Sequence, residues 1–105
     1  MKPLVLEAEP AAQAVEVTED RLLIELTDGR SLGIPLTWYS RLLHATPAER
    51  AHWNMLGDGY AIEWPELDEH IGIEGLLAGR RSGEGPASLQ RWLASRGQTQ
   101  AETTA

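Results

Sequence analysis

The chain has no cysteine, which excludes disulfides and thiol catalysis and fits a reducing cytoplasm. It has no phenylalanine either, so Trp38, Trp53, Trp64 and Trp92 must supply most of the large aromatic packing. Cations are scarce: nine Lys and Arg stand against sixteen Asp and Glu, a formal net charge of −7. Broad nucleic-acid binding needs cations that displace counterions from phosphate, so this balance opposes it. The same balance suits a small basic protein partner through long-range attraction, or simply solubility. The N-terminal apolar run Leu4-Val5-Leu6 is too short for a signal-peptide core or a membrane span. A cytoplasmic setting without membrane contact is expected.

Catalytic patterns are missing too. Gly57-Asp58-Gly59 has neither the lysine nor the third glycine of a phosphate cradle, and no Gly-x-Ser-x-Gly elbow occurs. His44, His52 and His70 are dispersed, and spacing pairs none of them with a nucleophile or a second carboxylate. The reading is non-enzymatic, with no catalytic residue, no resident metal and no cofactor.

What is present is organised around residues 57–79. Tyr60, Ile62 and Trp64 alternate with Ala61 and Glu63, the period-two pattern of a half-buried strand with the first three facing inward. Pro65 lacks a ladder donor and should end the strand. An acidic turn follows, and then a small apolar helix through Leu76 and Leu77, which Gly79 closes. Asp58, Glu63, Glu66, Asp68, Glu69 and Glu74 sit in this stretch without any Lys or Arg.

Upstream, Val15 and Val17 alternate with Glu16 and Thr18, and Leu22, Ile24 and Leu26 alternate again. Asp28-Gly29 marks a tight hairpin before Leu32, Ile34 and Leu36, so residues 15–36 read as a three-stranded antiparallel meander. Tyr39, Leu42 and Leu43 then adopt helical spacing, with Thr37 as the expected cap. Thr46-Pro47-Ala48-Glu49 spells a capping box with proline at the first helical position, opening a second helix that ends near Trp53-Asn54. After Gly79, residues 80–86 read as a flexible link. Pro86 to Arg96 carries Leu89, Trp92 and Leu93 at helical spacing, Gly97 is the expected stop, and residues 98–105 are an expected disordered tail. The fold class is α+β: antiparallel hairpins packed against short helices, with a core domain over 14–79, and over 80–105 a flexible link, a short C-terminal amphipathic helix and a disordered tail. Leu4–Leu6 is a further candidate edge strand.

The Leu22–Leu26 strand with Asp28-Gly29, the Pro47-Ala48-Glu49-Arg50 helix before Trp53, and Gly59-Tyr60-Ala61-Ile62-Glu63-Trp64-Pro65 with Leu67-Asp68-Glu69 and Ile71 resemble the bacterial family called domain of unknown function 2442. The likeness covers about Ala14 to Gly79. It implies a small α+β domain without an established activity or catalytic residues. Some similar proteins carry a helix-turn-helix domain after this one, which implies a regulatory setting. Here a single helix follows, so DNA binding does not carry over. Others are encoded beside small toxin-like proteins, which implies an antitoxin-like role.

Three functional readings result. The first is a protein-interaction or regulatory module that holds a small basic partner through Glu66, Asp68 and Glu69, or through Leu89, Trp92 and Leu93 laid into a groove. The second is a small-molecule or metal site with Trp64 as floor and Glu66, Asp68, Glu69 and His70 as polar groups. The third is DNA binding through Thr37–Trp53, with Arg41, His44, Arg50 and His52 on phosphate. An edge strand would also permit pairing of two copies.

Overall fold

The computed structural model describes residues 10–104, with side chains for 10–96. The candidate strand Leu4–Leu6 lies outside the described residues.

The meander forms from β1 (Ala12–Val17), β2 (Arg21–Leu26) and β3 (Ser31–Pro35), in the order β1-β2-β3 and antiparallel throughout. In β2, Leu22, Ile24 and Leu26 are buried while Arg21 and Glu25 are exposed, as the period of two requires. The ladder opposes Ala12 to Leu26 but Ala14 to Glu25, so Gln13 is an extra residue on β1. This bulge resets the phase and lets Ala12, Val15 and Val17 all lie on the face of Leu26, Ile24 and Leu22. At the hairpin, Gly29 takes φ +96°, and the Asp28 carboxylate accepts from the Arg30 backbone N–H at 3.0 Å.

A 3-10 turn over Leu36–Trp38 leads into α1 (Ser40–Leu43), and α2 (Pro47–Ala51) follows. The expected cap at Thr37 is not used: the 3-10 turn takes up that residue, and Tyr39 precedes α1 without a side-chain cap bond. The capping box of α2 is complete, with Glu49 N–H donating to Thr46 Oγ1 at 3.1 Å and Thr46 N–H donating to Glu49 Oε1 at 2.9 Å.

The second sheet was only partly foreseen. It consists of β4 (Asn54–Leu56), β5 (Ala61–Trp64) and β6 (Glu69–Gly72), in the order β4-β5-β6 and antiparallel. The second helix, expected to end near Trp53-Asn54, stops at Ala51, and Asn54–Leu56 form a strand. The second half of the expected acidic turn is also a strand, because Glu69 to Gly72 finds a ladder partner in β5. Ile62 and Trp64 are fully buried as expected, but so is Ala61, and Tyr60 is turned out to solvent at 53% exposure. Pro65 ends β5 and opens a 3-10 turn, and Asp68 closes that turn in the left-handed region at φ 53°. α3 (Ile73–Leu77) ends in a Schellman motif, with Gly79 at φ +80°, Gly79 N–H bonded to Leu76 O and Arg80 N–H bonded to Gly75 O.

α4 runs from Pro86 to Thr104, through Gly97 and the expected tail. A glycine inside a helix costs about 1 kcal/mol relative to alanine but does not terminate it. The link before α4 is tied down: Ser82 N–H donates to Trp38 O, Tyr39 Oη–H donates to Arg80 O, and the Arg81 guanidinium lies 4.6 Å from the Trp38 ring centre. Among the described residues no helix is long and apolar enough to cross a membrane.

One core joins both sheets. Leu22, Ile24 and Leu26 from the meander meet Ile62, Trp64, Leu67, Ile71 and Ile73 from the second sheet, while Tyr39 and Leu42 close the side. The expected α+β architecture is therefore the observed one. At the seam, Ala12 N–H donates to Gly59 O at 2.7 Å, and Gly59 sits at φ +100° with its α-carbon facing the Ala12 backbone. A methyl group there would collide with the Ala12 carbonyl oxygen, a backbone atom that cannot swing aside. Gly29 has a similar φ but open space around it. Gly59→Ala is therefore expected to destabilise by at least about 3 kcal/mol, and Gly29→Ala by only about 1–2 kcal/mol. Urea unfolding of the two variants tests this, and equal losses would contradict the seam argument.

Candidate functional site

Two polar constructions stand out, a belt that straps α4 to the domain and a cleft beside β6. The belt begins at Arg41 in α1. Its Nε donates to both Glu84 oxygens at 3.0 Å, Nη2 donates to Glu84 Oε2 at 2.6 Å, and Nη1 donates to Leu67 O at 2.9 Å. Planar, multidentate pairing of this kind is what guanidinium and carboxylate geometry favours. Ser88 Oγ–H adds a bond to Glu84 at 2.7 Å. One turn later, Trp92 lies between two guanidinium groups, Arg41 at 5.2 Å and Arg96 at 4.5 Å from its ring centre. Arg96 closes the belt on the Glu49 carboxylate with two bonds of 2.9 Å. The guanidinium partners hold Glu84 and Glu49 below the usual carboxylate range, Arg41 acting on the first and Arg96 on the second.

The cleft, of about 520 Å³, runs along β6. It is lined by Glu69, His70, Gly72 and Glu74 from β6 and α3, by Arg80, Arg81 and Ser82 from the tethered link, and by Pro10, with the Arg80 side chain lying against Gly75. Tyr39 lines it, as does Tyr60, whose ring rests so close to Gly57 that only glycine leaves room. Glu69 is the unusual group. It shares the core-facing side of β6 with Ile71 and is half-buried. Its one described hydrogen bond is from the backbone N–H of His70 at 3.3 Å. Burial pushes its carboxyl above the usual range, opposed by that N–H and by Arg41 at a distance. Arg41 cannot reach it because Glu84 and Leu67 O hold the guanidinium. Burial, helped by the Glu69 charge, also raises the Tyr39 hydroxyl. Among the described residues, neither Glu69 nor Glu74 meets a cation at ion-pair distance, and neither Arg80 nor Arg81 meets a carboxylate.

The residues singled out in the sequence scatter over these features. Glu69 and His70 line the cleft. Glu66 lies outside it, with Oε1 3.3 Å from His52 Nδ1, and Asp68 is exposed on the turn. Trp64 is no pocket floor: it is fully buried in the core, its Nε1–H donating to Arg50 O at 3.1 Å. Strand alternation fixes that orientation, because Trp64 shares the inward face of β5 with Ile62. Among the described residues, no three His, Asp or Glu side chains converge to hold a metal ion: Glu66 and Asp68 belong to the 3-10 turn and its end, and Glu69 and His70 alternate to opposite faces of β6. Leu89, Trp92 and Leu93 are half-buried on α4, and Trp92 packs against the domain's own core. The helical pair offers little to DNA, since α1 and α2 have four and five residues, and Arg50 is bonded to the carbonyls of Leu42, Leu43 and Thr18. Tyr39, Tyr60, Arg80 and Arg81 were not foreseen as site residues. The jump from an acidic stretch to Arg80-Arg81 just past the helix-closing Gly79 was the available signal.

The family model for a protein of unknown function, DUF2442, matches residues 12–82. Two solved structures share the fold. A protein of unknown function from Rhodospirillum rubrum is 25% identical with a TM-score of 0.63, the match covering 73% of this chain and 95% of that one. An uncharacterised protein from Chromobacterium violaceum, solved by solution NMR, is 22% identical with a TM-score of 0.60, covering 82% of this chain and 75% of that one. No curated protein matches the chain.

Two outcomes are expected. Arg41→Ala strands Glu84, whose side chain is only 12% exposed, and should cost about 2–4 kcal/mol. Arg30→Ala at the solvent-exposed Asp28 pair should stay within about 0.5 kcal/mol in the same denaturant titration. Glu69→Gln should instead raise the melting temperature at neutral pH. A carboxyl raised in the folded state binds protons more tightly there than in the unfolded chain, so its ionisation opposes folding above the raised value and not below the unfolded one. The gain should therefore shrink as pH falls through the carboxylate range. A lowered melting temperature at pH 7 would show that the Glu69 charge stabilises the fold.

Proposed function

We propose that this chain, which belongs to the DUF2442 family of proteins of unknown function, works without catalysis as a protein-interaction module, holding a small basic partner in a regulatory or antitoxin-like pairing. One observation carries this reading: Glu69 is a half-buried carboxylate that, among the described residues, meets no cation at ion-pair distance, in the lining of an open cleft. Burying such a charge opposes folding unless something compensates it, and a cation from outside is the direct compensation. Glu66 and Asp68, exposed on the adjoining turn, extend the same negative field. The chain's net charge of −7 speeds encounter with a basic protein.

Catalysis has little to build on here. Among the described residues, His52 has an exposed Glu66 beside it, and no hydroxyl is bonded to a histidine. α4 serves the domain's own packing through Trp92.

The test is capture of companions by the tagged full chain in its own cell, after nuclease treatment. A stoichiometric small basic protein is expected. It should fall at least about tenfold with Glu66→Gln, Asp68→Asn and Glu69→Gln combined. It should be retained when Glu16 and Glu25 of the first sheet and Glu19 of the turn between β1 and β2 are changed to Gln, an equal change in net charge elsewhere. No companion, or equal loss in both variants, would overturn the proposal.

A further inference from the structure

β6 is an outer strand. It bonds to β5 from Glu69 to Gly72, and among the described residues no backbone group meets its other edge. Such an edge is a template for another strand, which natural proteins usually shorten, cover or charge. Here it opens into the cleft, and the four residues of β6 give it roughly 13 Å of length. The cleft's lining carries both charges. Glu69 and Glu74 come from β6 and α3, Arg80 and Arg81 from the link, with the Arg80 side chain lying against Gly75 of α3, and among the described residues none of these four has an ion-pair partner. The link is held to Trp38 and Tyr39 through Ser82, Arg81 and Arg80. The exposed Tyr60 ring stands at the Gly72 end, since its neighbour Ala61 pairs with Gly72.

An all-basic segment entering this space would meet the two arginines, and an all-acidic one the two glutamates. We propose that the outer edge of β6 accepts a short extended segment of a partner protein as a fourth strand, one Lys or Arg of which meets Glu69 while an acidic side chain meets Arg80 and Arg81. Main-chain bonds to β6 then supply affinity and the two charges supply register, the mode by which a strand adds to a sheet edge. The inference rests on the protein-interaction reading and specifies its binding mode.

The probes are N-acetylated, C-amidated octapeptides of alternating β-branched and polar residues. One set carries a central Lys and Glu, a second replaces a middle residue by proline, and a third carries lysine only. Free lysine and free arginine form the small-zwitterion arm. The readout is the amide NMR spectrum of the full chain, with hydrogen exchange at Glu69–Gly72. The mixed-charge peptides should shift these amides and slow their exchange at least about tenfold. The proline and all-lysine sets should not. Glu69→Gln and Arg80→Gln, each with an otherwise unchanged amide spectrum, should weaken binding at least about fivefold.

No shift with any peptide, or shifts indifferent to proline and to both variants, would overturn the strand. A response to the free amino acids alone would overturn it too and make the cleft a zwitterion site. Failure of the binding mode can be told from failure of the interaction reading. If the cellular companion binds the Arg80→Gln protein at full strength, this binding mode fails and the interaction reading stands.

Discussion

Arg41 is the residue on which the arrangement turns. Its guanidinium reaches four separate parts of the chain: α1 carries it, Leu67 O ties it to the turn of the second sheet, Glu84 ties it to the end of the link, and Trp92 ties it to α4. An exposed ion pair contributes little, because water competes for both partners and two flexible side chains must be ordered. This pair differs because both side chains are mostly covered, at 17% and 12% exposure, and Leu67 O and Ser88 add further bonds to Arg41 and Glu84 respectively. Desolvation has then been met by hydrogen bonds, and removing one partner leaves a charge without water or counter-ion. The lowered carboxyls of Glu84 and Glu49 carry the same information as linkage. Their contribution is complete above the usual carboxylate range and is lost as pH falls through their lowered values.

By satisfying Glu84, Arg41 leaves Glu69 unsatisfied. Arg41 bonds Glu84 directly and acts on Glu69 only at a distance. Glu69 remains on the core-facing side of β6, beside Tyr39, with one backbone N–H for company. The belt and the cleft are therefore two results of one choice. The link that Glu84 anchors also carries Arg80 and Arg81, which line the same cleft as Glu69. Local strain of this electrostatic kind, in a fold otherwise well satisfied, is where binding energy can be recovered on association.

Much of the scaffold was legible because its signals are local. Asp28-Gly29 selects a hairpin by backbone conformation alone, Thr46 to Glu49 caps its own helix, and Gly79 supplies the left-handed residue of a Schellman motif. The meander followed from alternation, although the Gln13 bulge, which reconciles Ala12 with Val15, shows only in the ladder. β4 and β6 were missed because three- and four-residue strands are decided by the partner strand, and acidic residues at 66–69 speak for a turn whether or not a strand follows. Tyr60 was placed inward by parity. The tight turn at Gly57 and Gly59 ends the alternation one residue later, and the ring lies out over Gly57. Of the candidate site, Glu69 and His70 were named, but their surroundings depend on the link folding back across 10 or more residues of sequence, which no local pattern reports.

The same geometry weighs the cleft against α4 as the partner-facing surface. A helix that docks in a groove must present its largest apolar side chain, which here is Trp92. That ring is enclosed by Arg41 and Arg96, and each arginine is anchored to a carboxylate on the other side of the joint. Presenting Trp92 to a partner would unmake two covered ion pairs and two cation–π contacts and expose the core beneath. The proposed partner in the cleft would disturb none of these, since among the described residues it would meet a strand edge without a neighbour and charges without ion-pair partners. On the proposed interaction reading, bonds formed there would meet charges unpaired among the described residues, whereas freeing the helix would break bonds already made, and this weighs the proposal toward the β6 edge.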